Sequence, residues 1–227
     1  MEELISKLKS CSLLSSLSQN TLENVIIPAG KSTDYVKGTA VFRIQDTVSN
    51  VMVLLTGKVN LYYYTENGGA NLQDSLMPPE LPGLDLICTK TGISPYMVIA
   101  AEDSCIFSFP AKFILRPGRL PDDEWQGCLQ TLLILLSHSN VRKEYRIAIL
   151  SQRGLRDRII TYLTMQANRM QTLSFEIPFN RDELAAYLSV NRSALSHELS
   201  ILKQEGIIDF HHNHFRLLSE KTFMIRK

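Results

Sequence analysis

Four hydrogen-bonding side chains recur at helical spacing in the run NRDELAAYLSVNRSALSHELSILKQEGIIDF, residues 180–210: Arg192, Ser193, Ser196 and His197. On a helix they share a stripe opposite Leu195, Leu199 and Leu202. Such side chains can bond the edges of base pairs: arginine forks onto guanine O6 and N7, and serine and histidine make single bonds. Arg181 and Asn191, just upstream, complete a candidate DNA-binding set. The same stripe also fits the solvated face of an ordinary helix, so the flanking elements decide between the two.

A first helix is expected from Arg181 to Leu188, with Asn180 as N-cap and Glu183 three residues on. Leu184, Ala185 and Leu188 face inward. Ser189-Val190-Asn191 is a turn in which Val190 points inward and Asn191 caps the next helix. The second helix runs from Arg192 to Glu205 and stops at Gly206. Two short strands follow, Ile207–Phe210 and Phe215–Leu218, joined by His211-His212-Asn213-His214. A strand-like run, Leu173–Phe179, precedes the pair. Together these make a winged helix-turn-helix, which places its second helix in the DNA major groove. The histidines of the turn raise the question of a metal, but no fourth ligand is evident and no metal site is assigned.

Upstream of this motif the character changes twice. Residues 2–27 carry apolar residues at helical spacing around a Ser-rich break. Ala40–Ile44, Val51–Thr56, Val59–Thr65, Met97–Ala101 and Cys105–Phe109 are short β-prone runs, punctuated by Lys37-Gly38, Thr56-Gly57, Asn67-Gly68-Gly69 and Pro82-Gly83. Many short strands between glycine turns indicate a barrel. From Pro121 to Leu150 the pattern is one long helix, and Leu129, Leu133, Leu136, Asn140, Lys143, Ile147 and Leu150 follow a 4-3 spacing suited to a two-helix seam. Asn140 can fix its register. A further helix is expected over 155–170. The fold class is α+β, with a double-stranded β-helix (jelly-roll) barrel domain over 1–120, a dimerisation helix over 121–150 and a winged helix-turn-helix over 151–227.

Composition narrows the function. The chain has 227 residues and a net charge of +1, unevenly spread: residues 150–227 carry 11 Lys/Arg against 8 Asp/Glu, residues 1–149 carry 13 against 15. The basic balance falls on the half that would meet phosphate. Apolar runs such as Leu132–Leu136 are too short for a membrane span, and MEELISKLKS lacks a signal-peptide layout. The four cysteines, Cys11, Cys88, Cys105 and Cys128, form no CxxC and read as reduced cytoplasmic thiols. No Ser/His/Asp set, carboxylate pair or phosphate loop is present, so no catalytic residue is assigned and no enzyme is expected. Asp122-Asp123-Glu124 reads as an acidic helix N-terminus.

The order of elements resembles the bacterial CRP/FNR family of transcription regulators over nearly the whole chain. RDELAAYLSVNRSALSHELSILKQEGII carries the resemblance most firmly. VMVLLTGKVNLYYYTENGG follows, with Thr56-Gly57-Lys58-Val59 matching the "xGxV" turn of the family's cyclic-nucleotide barrel. The resemblance implies a homodimer that places two reading helices in successive major grooves of a palindromic double-stranded operator, in response to a signal in the barrel. Contact with RNA polymerase is common in the family. Many members have glutamate where Ser193 stands and arginine where His197 stands, so an atypical operator is expected. Ser189 stands where glycine is common.

The resemblance also frames the signal. Members that bind cyclic AMP carry a glycine, an acid directly after it and an arginine–serine pair downstream. Here PGLDLICTKTGISPYMVIAA has Gly83, but the acid comes one place late at Asp85. Ser94-Pro95-Tyr96 stands near the missing pair, and no arginine occurs between Gly83 and Ala101. A buried phosphate without that arginine would lack its counter-charge, which argues against cyclic AMP. Cys11 stands alone where oxygen-sensing members have a cysteine cluster, which argues against an iron–sulfur cluster. Heme stays open through a cysteine or N-terminal ligand, although residues 1–137 contain no histidine. An unidentified small-molecule effector would be lined by Gly83, Asp85, Tyr96 and the start of the long helix. The alternative function is a β-barrel small-molecule-binding protein whose C-terminal domain mediates protein contacts.

Overall fold

The structure, a computed structural model, describes residues 1–64 and 70–218. Helix α1 (Glu2–Ser10) buries Ile5 and Leu8. Short helical turns then carry the chain to Ala29, placing Leu13, Leu14, Leu17, Leu22 and Ile26 in the barrel-domain core.

Two sheets follow. One has the strand order β1-β7-β3, from Lys31–Tyr35, Ser104–Pro110 and Asn50–Thr56; the other has the order β2-β6-β4-β5, from Ala40–Phe42, Met97–Ala100, Val59–Tyr64 and Ala70–Leu76. Alternate residues of β3 and β7 face inward, so Val51, Val53, Phe107 and Phe109 are buried. The β3–β4 turn needs its glycine. Gly57 has φ of 83°, and a Cβ there would meet the Cα of Ser104 at 2.7 Å. Strands β1 and β5, at sheet edges, are additions to the sequence reading. The other strands fall where alternation and glycine punctuation put them, within about two residues. Thr65 and the Asn67-Gly68-Gly69 turn lie outside the described residues.

Helix α2 (Leu84–Ile87) lies between β5 and β6, and α3 (Lys112–Leu115) follows β7. Helix α4 (Asp122–Leu150) is the long helix, with Asp122, Asp123 and Glu124 in its first turn, where the helix dipole favours acids. Its start is held by Trp125 Nε1 donating to the Ile114 carbonyl at 2.8 Å and by the Ser18 N–H donating to Glu124 Oε1 at 3.2 Å.

Helix α5 (Leu155–Met170), β8 (Ser174–Glu176), α6 (Arg181–Tyr187), α7 (Arg192–Gln204), β9 (Ile208–His211) and β10 (His214–Leu217) complete the chain. The last sheet has the order β8-β10-β9. The described residues form two compact units, one within residues 1–139, the other from residue 140 on together with 70–72. Among the described residues no helix is long and apolar enough to cross a membrane.

Candidate nucleic-acid interface

Local chemistry fixes the helix pair. Asn180 accepts from the Glu183 N–H at 2.9 Å, and Glu183 accepts from the Asn180 N–H at 2.8 Å, a reciprocal capping box at the start of α6. Both helices end in the same 6→1 and 5→2 pattern. Val190 N–H donates to Ala185 and Ser189 N–H to Ala186; Ile207 N–H donates to Leu202 and Gly206 N–H to Lys203. The left-handed residue is Gly206 in one case, at φ 69°, and Ser189 in the other, at φ 55°. Arg158 of α5 donates to the Leu188 carbonyl at 3.1 Å and secures the turn.

Leu195, Leu199 and Leu202 of α7 are buried, while Arg192, Ser193 and His197 are exposed and Ser196 is half-buried. The expected stripe is thus presented outward at the N-terminal end of the helix. Three details differ from the sequence reading. Asn191 sits at the N-cap of α7, but its side chain makes no capping bond; it is exposed, and solvent can satisfy it. Val190 is half-buried rather than a core plug. The wing is tighter than expected, since His211 pairs with His214 across the two-residue turn His212-Asn213. The left-handed φ of 52° at His212 closes that turn.

Arg181 has a role that spacing does not reveal. Its guanidinium lies 5.0 Å from the centre of the Phe210 ring and 5.8 Å from that of Phe215, and it donates to the His212 carbonyl at 3.2 Å. Burial, then the charge of Arg192, pushes its pKa below the usual arginine value. Arg181 thereby braces the wing against the start of α6. A second bridge joins the helices, Arg192 Nε to Asp182 Oδ1 at 3.3 Å. Arg146, buried near the end of α4, lies 4.6 Å from the centre of the Tyr187 ring, itself in tilted contact with the rings of Tyr162 and Phe179.

The proposed seam residues divide. On α4, Leu133 is 66% exposed, Ile147 is 61% exposed and Asn140 is exposed, whereas Leu129 and Leu136 are half-buried against the barrel-domain core. Ile134, Val141 and Tyr145, outside the 4-3 repeat, are also exposed and widen the apolar stripe.

The barrel residues are closed on one another. Gly83 is left-handed at the start of α2, and a Cβ there would meet Phe42 and Val48 at 3.3 Å. Tyr96 is 3% exposed, packs against Phe42 and Tyr63, and donates its hydroxyl to Asp85 Oδ1 at 2.5 Å. Burial first, and Asp85 second, push the Tyr96 hydroxyl well above the usual tyrosine value. The donor set does not fit a cyclic nucleotide: the segment supplies a carboxylate already bonded to Tyr96, and its one cation, Lys90, is an exposed lysine rather than an arginine held for the phosphate. It does not fit an iron–sulfur cluster either. Among the described residues Cys11, Cys88, Cys105 and Cys128 do not come together in a group of three or more ligands, and burial raises the pKa of each thiol. Among the described residues no group of three or more His, Cys, Asp or Glu is placed to hold a metal ion.

Comparison with known proteins matches this architecture. Residues 32–116 match the family model of the cyclic nucleotide-binding domain, and residues 157–223 that of the Crp-like helix-turn-helix domain. The chain is 24% identical over 191 residues to the transcriptional activator protein FnrA of Stutzerimonas stutzeri, covering 80% of this chain and 74% of that protein. In fold it is similar to a CooA mutant from Carboxydothermus hydrogenoformans (TM-score 0.71, 16% identity, 91% and 93% of the two chains covered). It is likewise similar to FixK2 from Bradyrhizobium japonicum (TM-score 0.67, 15% identity, 86% and 96% covered). With both domain models in family order along one chain, the protein belongs to the CRP/FNR family of DNA-binding transcription regulators.

Proposed function

We propose that this chain acts as a homodimer on a palindromic operator in the bacterial cytoplasm. Residues 1–120 form the signal-receiving domain, 121–150 the dimerisation helix and 151–227 the DNA-reading domain. The observation that carries this is the outward stripe of Arg192, Ser193, Ser196 and His197 over a leucine-filled underside. Arg192 reads a base through its guanidinium fork, Ser193 and His197 make weaker single bonds, and Asn191 and the braced Arg181 meet the backbone. The apolar stripe of Leu133, Ile134, Val141, Tyr145 and Ile147 supports the dimer.

The effector, if small, contacts the Gly83–Tyr96 segment and is neither cyclic AMP nor an iron–sulfur cluster; a heme ligand other than histidine stays compatible with the barrel. Contact with RNA polymerase and the absence of catalysis belong to the same reading. Selection of bound fragments from random duplexes tests it: a short palindrome should emerge, and Leu133→Asp with Ile147→Asp should abolish it along with the dimer. Selection that returns no preferred sequence overturns the proposal.

A further inference from the structure

The first turn of α6 places three charged residues in succession, and two of them have assigned work. Arg181 braces the wing, and Glu183 is buried in the capping box. Asp182 takes no part in the cap. It is exposed, and its carboxylate meets the Nε of Arg192 on the neighbouring helix at 3.3 Å. An acid on the DNA side of a DNA-binding motif costs affinity, because it stands near the phosphates that attract the rest of the surface.

We infer that Asp182 is a specificity-determining residue that positions Arg192 for base reading and weakens its contact with phosphate. This rests on Arg192 reading a base. An arginine fork has two useful edges, and a carboxylate held at Nε leaves the paired Nη groups free for guanine O6 and N7. Among the described residues the ion pair formed by Arg192 is this one. A second charged neighbour is Arg181, whose pKa is lowered by burial first and by the like charge of Arg192 second. Without Asp182, that repulsion would drive the Arg192 side chain outward toward the nearest phosphate, where it binds every sequence equally. Asp182 therefore lowers general DNA affinity while preserving affinity for the operator.

The test measures binding of the full chain to a duplex it selects from a random library and to a scrambled duplex, across a salt series. Asp182→Asn should tighten binding to the scrambled duplex by about 3- to 10-fold and cut the operator preference by about tenfold for the dimer. It should also steepen the salt dependence by about one to two counterions, as two released arginines find phosphate. Asp182→Glu should restore the preference, and Asp182→Asn should not change the operator preference in an Arg192→Ala background. A purely structural role at the helix start would weaken both duplexes alike and leave their ratio fixed, and that result overturns the inference. Loss of preference in Arg192→Ala with none in Asp182→Asn rejects Asp182 alone. An Arg192→Ala variant that keeps its preference rejects the base-reading role as well.

Discussion

At the start of α7, Arg192, Ser193 and His197 point into solvent; in the barrel, Asp85 and Tyr96 point at each other. Both are clusters of polar side chains on ordered elements. The first leaves its donors at the surface, where among the described residues Arg192 is held by an exposed ion pair. The second satisfies its donor and acceptor internally, under two aromatic rings. A polar group that must bind something external has to stay accessible, while a buried one must find its partner inside the fold. The contrast identifies DNA as the ligand this chain is built to receive directly. In the barrel segment, by contrast, Asp85 and Tyr96 already have each other as partners.

The largest effect should come from breaking the closed side. Tyr96→Ala should cost about 3–5 kcal/mol, seen as a lower urea midpoint, because a buried ring leaves a cavity. Tyr96→Phe should cost only about 1 kcal/mol, the worth of the hydroxyl contact. The tyrosine also sets a pH limit. Its folded pKa is raised, so its contribution is complete below the unfolded value near ~10 and is lost as pH climbs beyond it. The phenylalanine variant should lose less stability across that alkaline range.

On the open side, Arg192→Ala should weaken operator binding by about 1–3 kcal/mol and leave scrambled DNA nearly unaffected. Equal loss on both duplexes would mean that the two regions differ only in exposure. A smaller effect is expected at the turn between the helices, where Ser189→Gly should raise stability by up to about 1 kcal/mol by relieving a left-handed serine. Unchanged or lower stability in a melt would show that the serine side chain has a compensating contact. The smallest effect is the expected null. Cyclic AMP should leave the melting temperature where it was, whereas a fitting ligand at a hundred times its Kd would add about 2.7 kcal/mol.

Legibility in the sequence followed periodicity. The capping box at Asn180 and Glu183, the leucine underside of α7 and the limits of the long helix could be read because each repeats at a helix spacing or carries a terminal residue with one purpose. Strands β1 and β5 could not. Both lie at sheet edges; KSTDY has no buried residue, and in ANLQDSL the buried positions Leu72, Ser75 and Leu76 do not alternate. The seam was half legible. A strict 4-3 repeat finds Leu133 and Ile147 but passes over Ile134, Val141 and Tyr145, because the exposed face is wider than one stripe. It also takes in Leu129 and Leu136, which pack against the core of their own chain. In the barrel, the family resemblance flagged Asp85 and Tyr96 singly. Their bond joins residues brought together by a loop and a strand, and no spacing rule encodes it. The same holds for Arg181, whose position over Phe210 and Phe215 depends on how the hairpin folds back.

One feature of the long helix concerns how movement travels. At Gly127 the helix has a notch only as deep as a missing methyl group: a Cβ there would lie 2.9 Å from that of Ser16. The N-terminal segment rests in it, tied one turn earlier through Ser18 to Glu124 and at the next residue through Ser16 to Cys128. There is no slack for the helix to slide beneath that segment. A shift in the first turns of α4 would carry residues 16–18 along as ballast, so a reporter dye beside them would follow the motion of the helix itself.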